Sequence, residues 1–416
     1  MKLNCRKMLW MIAILFHFQQ YGQQAMTSLD QYLLIAAENN PQLKARFNEY
    51  MAALERVPQA GALPDPQFAF GYFINPVETR VGPQRASFGL SQAFPWFGTL
   101  GAKKDLMSEL ARSRFELFQN ARSDLFFDVK TAYYNYYFIE KAIEITRENI
   151  EILNIFRNLS LVKIEAGTAS LADELRVELE LNDLENQLAL FIDSRDVFRT
   201  SFNNLLNRDN SVMIEVPEEL NEEELPFESL SLLDSILISN KELRALDHKL
   251  QSFREQEEVA QKSGMPGFNV GMNYIVIGEN PAMTNPDNGK DAFFPTIGVS
   301  IPIYRKKYKS MVREAEYMQE AVVSEKENKR NSLSTLFQES LKDFRDSDRR
   351  LSLNHQQSGI ANKVLDILIT SYSTNSRDFE EVLRIERQLL GYKLARERAL
   401  IDKNVSVAFM NYLLGN

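Results

Sequence analysis

Thiols are all but absent: the 416 residues hold one cysteine, Cys5, and it lies ahead of the first apolar stretch. Disulfides, thiolate metal sites and cysteine nucleophiles are excluded from the rest of the chain. Histidine is nearly as scarce. Of the three, His17 lies in the N-terminal apolar segment, and His248 and His355 stand alone on helical patterns without H-E-x-x-H spacing. No G-x-S-x-G elbow occurs. Gly98-Thr99-Leu100-Gly101-Ala102-Lys103 lacks both the spacing and the terminal Ser/Thr of a phosphate loop. Met272 falls on an apolar strand face and Met283 in a loop, so they do not build a copper site. The expectation is no catalytic residues, no cofactor, no metal site and no enzyme. A basic stripe is also missing, and the net charge of -9 argues against a nucleic-acid partner. The mixed-charge runs 325–330 and 342–350 read as solvated helix faces.

Beyond the N-terminus no run approaches the ~20 consecutive apolar residues of a spanning helix. At the N-terminus itself, Lys2, Arg6 and Lys7 precede the apolar run Met8 to Phe18, which is too short to span. That order reads as a signal peptide over 1–24, with Gly22 or Ala25 supplying the small residue near cleavage. An exported chain without a spanning helix is secreted, periplasmic, or held in the outer membrane by β-strands.

What is present is a duplication. Pro41-Gln42-Leu43-Lys44-Ala45 returns as Lys241-Glu242-Leu243-Arg244-Ala245, and Pro66-Gln67-Phe68 as Pro266-Gly267-Phe268, both at an offset of 200. Gly89-Leu90-Ser91 matches Gly298-Val299-Ser300, and Leu175-Arg176-Val177-Glu178 matches Leu383-Arg384-Ile385-Glu386. The common order defines two repeats, 25–208 and 230–416, joined by an acidic linker over 209–229.

Each repeat opens with a shorter helical stretch: Leu29 to Val57, interrupted at Pro41, and Leu230 to Gln261. Period-2 alternation then predicts strands at about 66–76 and 84–95, and at about 266–278 and 292–304. Phe68, Phe70 and Tyr72 alternate with Gln67, Ala69 and Gly71, and Phe268, Val270, Met272 and Tyr274 alternate with Asn269, Gly271 and Asn273. Asp287-Asn288-Gly289 signals a tight turn in the later loop. Each pair of strands is followed by two long helices, at about 101–164 and 170–207, then at about 308–373 and 378–414. Leu125, Val129, Ala132, Tyr136, Ile139 and Ile143 step by fours and threes, the mark of a helix packed along its length on a neighbour. The more polar stretch Arg345 to Gln357 suits either the wall of an aqueous tunnel or an exposed coiled-coil face.

Four strands with one apolar face cannot stand alone in lipid, where open edges leave backbone groups unpaired. The smallest bacterial barrels have about eight strands, so the chain must associate, and three copies would supply ~12. A soluble periplasmic coiled-coil scaffold without a pore is the rival reading.

Two motifs carry a family resemblance: Leu63-Pro64-Asp65-Pro66-Gln67-Phe68 at the entry to the first strand, and Gln92-Ala93-Phe94-Pro95-Trp96-Phe97-Gly98, followed by Gly101 and Lys103-Lys104, at the exit of the second. With the duplication, they resemble the TolC-type outer-membrane efflux proteins over almost all of the chain, in wording nearest the heavy-metal cation-efflux branch (CzcC-like and CusC-like proteins). The resemblance implies a mainly α fold with a β-hairpin domain. It implies a homotrimer in the outer membrane of a Gram-negative-type bacterium, with four strands per chain in a shared 12-stranded barrel and coiled helical hairpins forming a periplasmic tunnel. It further implies outer-membrane lipid around the barrel, a periplasmic adaptor, and an inner-membrane pump, often of the RND class, that supplies the energy.

Gly167, Thr168, Ser170 and Leu171 form the break between the first pair of long helices, and Asn375, Ser376, Asp378 and Phe379 form the second. Gly167 and Asn375 tolerate the left-handed conformation that ends a helix, and Ser170 and Asp378 can cap the next one. That chemistry explains them as turn formers; the resemblance adds adaptor docking. Asp366, six residues before Tyr372, stands where the family carries an acidic residue of its periplasmic constriction, and three copies would make a cation-selective ring. The alternative is an ordinary solvent-facing aspartate.

Overall fold

The computed structural model describes residues 28–225, 229–282, 284, 286–374 and 379–416. The signal segment, Met283, and the tip residues Asn375, Ser376 and Asp378 lie outside the described residues. The chain forms two compact units, each assembled from separate stretches. One holds the described residues of 1–44, 121–236 and 334–416, and the other holds 45–120 and 237–333. In chain order the elements are α1 (Ser28–Asn39), α2 (Pro41–Gly61), β1 (Gln67–Thr79), β2 (Gly82–Phe94), α3 (Thr99–Glu165), α4 (Leu171–Leu205), α5 (Ser229–Ser239), α6 (Lys241–Ser263), β3 (Gly267–Ile277), β4 (Ala292–Ser300), α7 (Arg305–Thr374) and α8 (Phe379–Leu414).

The breaks between the short helices have one cause. The buried Asn40 accepts the Leu43 N–H at 3.0 Å, opening α2, and donates its amide to the Leu205 carbonyl at 3.0 Å. Pro41 takes the first helical position, where a missing N–H costs nothing. Asn240 repeats the device, accepting from Glu242 at 3.1 Å and Leu243 at 3.2 Å to open α6.

The sheet unit carries one four-stranded antiparallel sheet in the order β1-β2-β3-β4. The central β2–β3 pairing, with Phe88 opposite Tyr274 and Leu90 opposite Met272, joins the hairpins of the two repeats. β4 stops at Ser300, four residues before the alternation ends, because its partner Gly267 begins β3 and Pro302 has no N–H to donate.

In the helical unit, Leu153, Phe156, Val177, Leu181, Leu365, Phe379, Leu383 and Leu389 form one apolar core drawn from α3, α4, α7 and α8. The linker between the repeats is strapped to this unit by buried polar side chains. Tyr32 accepts the Glu215 N–H at 2.9 Å and Tyr137 accepts that of Leu220 at 3.2 Å. Asn404 accepts from the Glu223 N–H at 2.9 Å and donates to the Asn221 carbonyl at 2.9 Å. Lys403 bridges Glu222 at 2.8 Å and Asp348 at 2.7 Å. Two members of the polar stretch of α7, Asp348 and Arg350, thus find partners on α8, with Arg350 to Asp402 at 3.0 Å.

Candidate functional site

Register turns the alternation of the strands into surfaces. Phe68, Phe70 and Tyr72 of β1 stand opposite Leu90, Phe88 and Ala86 of β2. Phe88, Leu90 and Phe94 continue to Tyr274, Met272 and Phe268 of β3. Phe268, Val270 and Tyr274 continue to Val299, Ile297 and Phe293 of β4. All of these share one face, and it is open: Phe68 is 68% exposed, Tyr72 68% and Ile297 80%. The opposite face carries Gln67, Gly71, Ser87, Gly89, Ser91, Asn269, Gly271, Asn273 and Thr296, mostly small and polar, with Ile275 and Phe294 as its large apolar members. A sheet packed on a soluble core hides its apolar face; this one displays it and keeps the polar face for the other side. Among the described residues β1 and β4 pair on one side only, so each leaves a row of backbone donors and acceptors unused there.

Where the hairpins turn, Gly82 has φ +121° and closes against the other repeat, and a side chain there would meet the Gly278 carbonyl oxygen at 1.9 Å. The Gly278 N–H donates to Pro83 at 2.7 Å and the Gly289 N–H to Val81 at 2.7 Å, tying the two turn regions together.

The first helical tip is built by its own backbone. Gly167 has φ +71°, the Thr168 N–H donates to the Lys163 carbonyl at 2.8 Å and the Gly167 N–H to Ile164 at 2.9 Å. These two bonds are the Schellman closure of α3. Ser170 then opens α4: its hydroxyl accepts the Ala172 N–H at 3.1 Å, and Asp173 accepts the Ser170 N–H at 3.3 Å. Gly167, Thr168 and Ser170 are exposed, and Leu171 presents its side chain to solvent at 62%.

Phe379 does not share that exposure. It is buried at 3%, with its ring 4.9 Å from that of Tyr372 and 6.4 Å from that of Phe156. It therefore anchors the second hairpin to the core within its own subunit and offers no surface there to a partner. Lys163 fixes the same corner, donating to the Tyr372 carbonyl and lying 3.9 Å from the centre of its ring. Asp366 is exposed on α7, six residues before Tyr372, and no other carboxylate occurs from 359 to 374.

Sequence reasoning missed a buried acid between the hairpins. Glu386 is 1% exposed, accepts from Asn149 at 2.8 Å, and leaves its second carboxylate oxygen without a partner among the described residues. Burial raises its pKa, and Lys393 one heptad along α8 opposes that shift, as does the Asn149 bond. Its counterpart in the first repeat, Glu178, is exposed, so the matched motif concealed the difference. The described residues contain no cluster of three or more His, Cys, Asp or Glu able to hold a metal. His248 pairs with Glu109 at 2.8 Å.

Residues 33–208, most of the first repeat, match the outer membrane efflux protein family. Several solved structures superpose on the chain nearly end to end. CusC, described for its transmembrane channel formation, aligns with a TM-score of 0.78 at 16% identity, over 94% of this chain and 92% of its own. The MtrE outer membrane channel of Neisseria gonorrhoeae, in its open state, aligns with a TM-score of 0.75 at 18% identity, over 93% and 89%. The CmeC outer membrane channel of Campylobacter jejuni gives 0.75 at 13% identity, over 93% and 86%. The fold is that of the TolC-type outer-membrane efflux channels. Family and structural neighbours of this type are passive channels, not enzymes. A sequence relative, an uncharacterized protein of Haemophilus influenzae, is 22% identical over 240 residues, 56% of this chain. The aligned part spans about half of that relative's length, 52%.

Proposed function

We propose that this chain is the outer-membrane channel subunit of a tripartite efflux system. Three copies would close a shared 12-stranded barrel, and the helical hairpins would line a duct reaching into the periplasm. The observation that carries this reading is the sheet, whose apolar face is exposed and whose two edge strands lack partners among the described residues. In hydrocarbon such edges must be paired, and pairing β1 of one copy with β4 of the next satisfies both. The family match and the fold of the solved channels support the same assignment.

The channel reading implies partners. A passive duct supplies no energy, so an inner-membrane pump must drive transport and a periplasmic adaptor must meet the tips. Gly167, Thr168, Ser170 and Leu171 are the docking residues we assign on the first tip; Asn375, Ser376 and Asp378 are their counterparts on the second. The Pro64-Asp65-Pro66 and Pro95-Trp96-Phe97-Gly98 wording makes heavy-metal cations, with an RND-class pump, the first cargo to test.

Asp366 is the gate residue in this reading, with three exposed carboxylates ringing the closed end. Purified protein in planar lipid bilayers should give discrete conductance steps that divalent and trivalent cations block from the helical side. Asp366→Ala should raise conductance and weaken that block by on the order of tenfold. A protein that remains soluble and monomeric and never conducts contradicts the channel; a conducting Asp366→Ala protein with unchanged block removes only the gate.

A further inference from the structure

The two helices that leave the sheet start without an acid, as α2 and α5 also do, and α7 alone starts with a run of cations. α1, α4, α6 and α8 carry Asp30, Asp173, Glu242 and Glu380 in their first turns, the sign that a helix N-terminus attracts. α7 instead begins Arg305-Lys306-Lys307-Tyr308-Lys309, with no acid in its first turn and Arg313 one turn on. α3 also starts without an acid, and Lys103-Lys104 follow. Cations in these places oppose the helix dipole and one another. All five cations of α7 are exposed. Among the described residues none of them pairs with a carboxylate: Arg305 donates to the Gly264 carbonyl at 2.9 Å, and Lys307 lies 5.6 Å from the centre of the Tyr308 ring.

The second observation is a groove beside those cations. Between the end of α6 and the start of α7 lies a cavity of about 360 Å³, walled by Met265, Tyr308 and Val312 and edged by Arg305, Lys309 and Arg313, with Glu316 the one acid on its lining, so the edge is net positive. It sits at the rim of the sheet that faces the helices. Gly264, held by Arg305, is three residues from the start of β3, and the chain between β4 and α7 exposes Ile301, Ile303 and Tyr304 at 67%, 70% and 77%. An open apolar surface thus passes within two residues into an open cationic one. Acyl chains followed by a phosphate present the complementary order.

We propose that this groove binds the headgroup of an anionic phospholipid, its phosphate held by Arg305, Lys309 and Arg313 and its chains lying on the apolar strand face. The proposal rests on the membrane reading of the sheet. A zwitterionic headgroup would cover the apolar wall but leave the net positive charge unbalanced, so selectivity belongs to the anionic class.

Trp96 provides the probe. A Trp10→Phe background leaves it as the only tryptophan, and it stacks on Phe268 at the same rim with centroids 6.0 Å apart. The full chain is reconstituted into phosphatidylethanolamine vesicles carrying an equal minor fraction of either brominated phosphatidylglycerol or brominated phosphatidylcholine. Bromine quenches tryptophan on contact. The glycerol lipid should quench Trp96 more strongly, and that preference should fall as salt rises. Arg305→Gln/Lys309→Gln/Arg313→Gln should lower the preference by on the order of tenfold while quenching by the choline lipid stays constant. Lys342→Gln/Arg345→Gln/Arg349→Gln, which removes three equally exposed cations of α7, should keep the preference. Equal quenching by both lipids in the unsubstituted protein overturns the proposal, as does a preference indifferent to salt or retained after the first triple substitution. Absence of quenching by either lipid defeats the membrane reading itself.

Discussion

Glu386 occupies a position where the heptad of α8 calls for a hydrophobe, one step from Val382 and Leu389 in the apolar core. A carboxylate buried there with one oxygen unpartnered costs stability when charged. The sign of its pH dependence follows. Burial lifts its pKa above the ordinary 4.5 of the unfolded chain, so the folded state binds the proton more readily. The penalty is therefore full above the raised value and is relieved as pH falls through it toward 4.5. Glu386→Gln should stabilise the protein by about 1 kcal/mol at neutral pH, and the gap in melting temperature should shrink on acidification. A gap that is constant with pH would show that the charge is not the cause. Gly82 gives the opposite case, because Gly82→Ala adds a Cβ at 1.9 Å from a carbonyl oxygen at a φ reserved for glycine. Loss of about 2 kcal/mol or more, read by denaturant unfolding, is expected. At this scale the sequence was readable where a residue acts on its immediate neighbours: Gly167 and Ser170 build the tip as their types imply. It was unreadable where a residue acts across the fold. Asn40 and Asn240 look like loop residues until the helices they cap are seen, and Phe379 looks like a tip residue until its ring meets Tyr372.

Among elements, the strands were legible because their two faces meet different environments and period-2 alternation records that directly. Their order was not, since nothing in the alternation says that β2 pairs with β3 and leaves β1 and β4 at the edges. The linker shows the same limit. Its acidity reads as solvated chain, yet Tyr32, Tyr137 and Asn404 hold its backbone, and those contacts come from helices up to 183 residues away in sequence. Asn404 is fully buried and satisfies two linker backbone groups at once. Asn404→Ala should cost about 2 kcal/mol and free the strap. Hydrogen exchange would then show lost protection at the Glu223 amide, while unchanged protection there would mean that the other contacts suffice. The polar stretch of α7 is likewise resolved by its neighbours: Asp348 and Arg350 pair with Lys403 and Asp402, while Arg345 and Arg349 stay exposed.

For the whole molecule, the exposed apolar sheet face and its unpaired edges make a demand that no single chain can meet. A sheet of four strands in lipid needs neighbours on both sides, and in the proposed trimer identical copies would supply them by cyclic repetition of one heterologous contact. The duplication halves the work: each chain brings two hairpins already joined through β2 and β3, so one contact between copies, β4 to β1, would close the ring. That contact is the central claim, and disulfide trapping reads it directly. Cysteines are placed singly along β1 and along β4 and combined in pairs in a Cys5→Ser background. Oxidation in isolated outer membranes should convert the chain to a covalent species of three times its mass, for pairs spaced in antiparallel register and not for their neighbours. Absence of any covalent oligomer across the whole set of β1–β4 pairs, or a ladder that stops at two copies, would contradict a closed trimeric barrel.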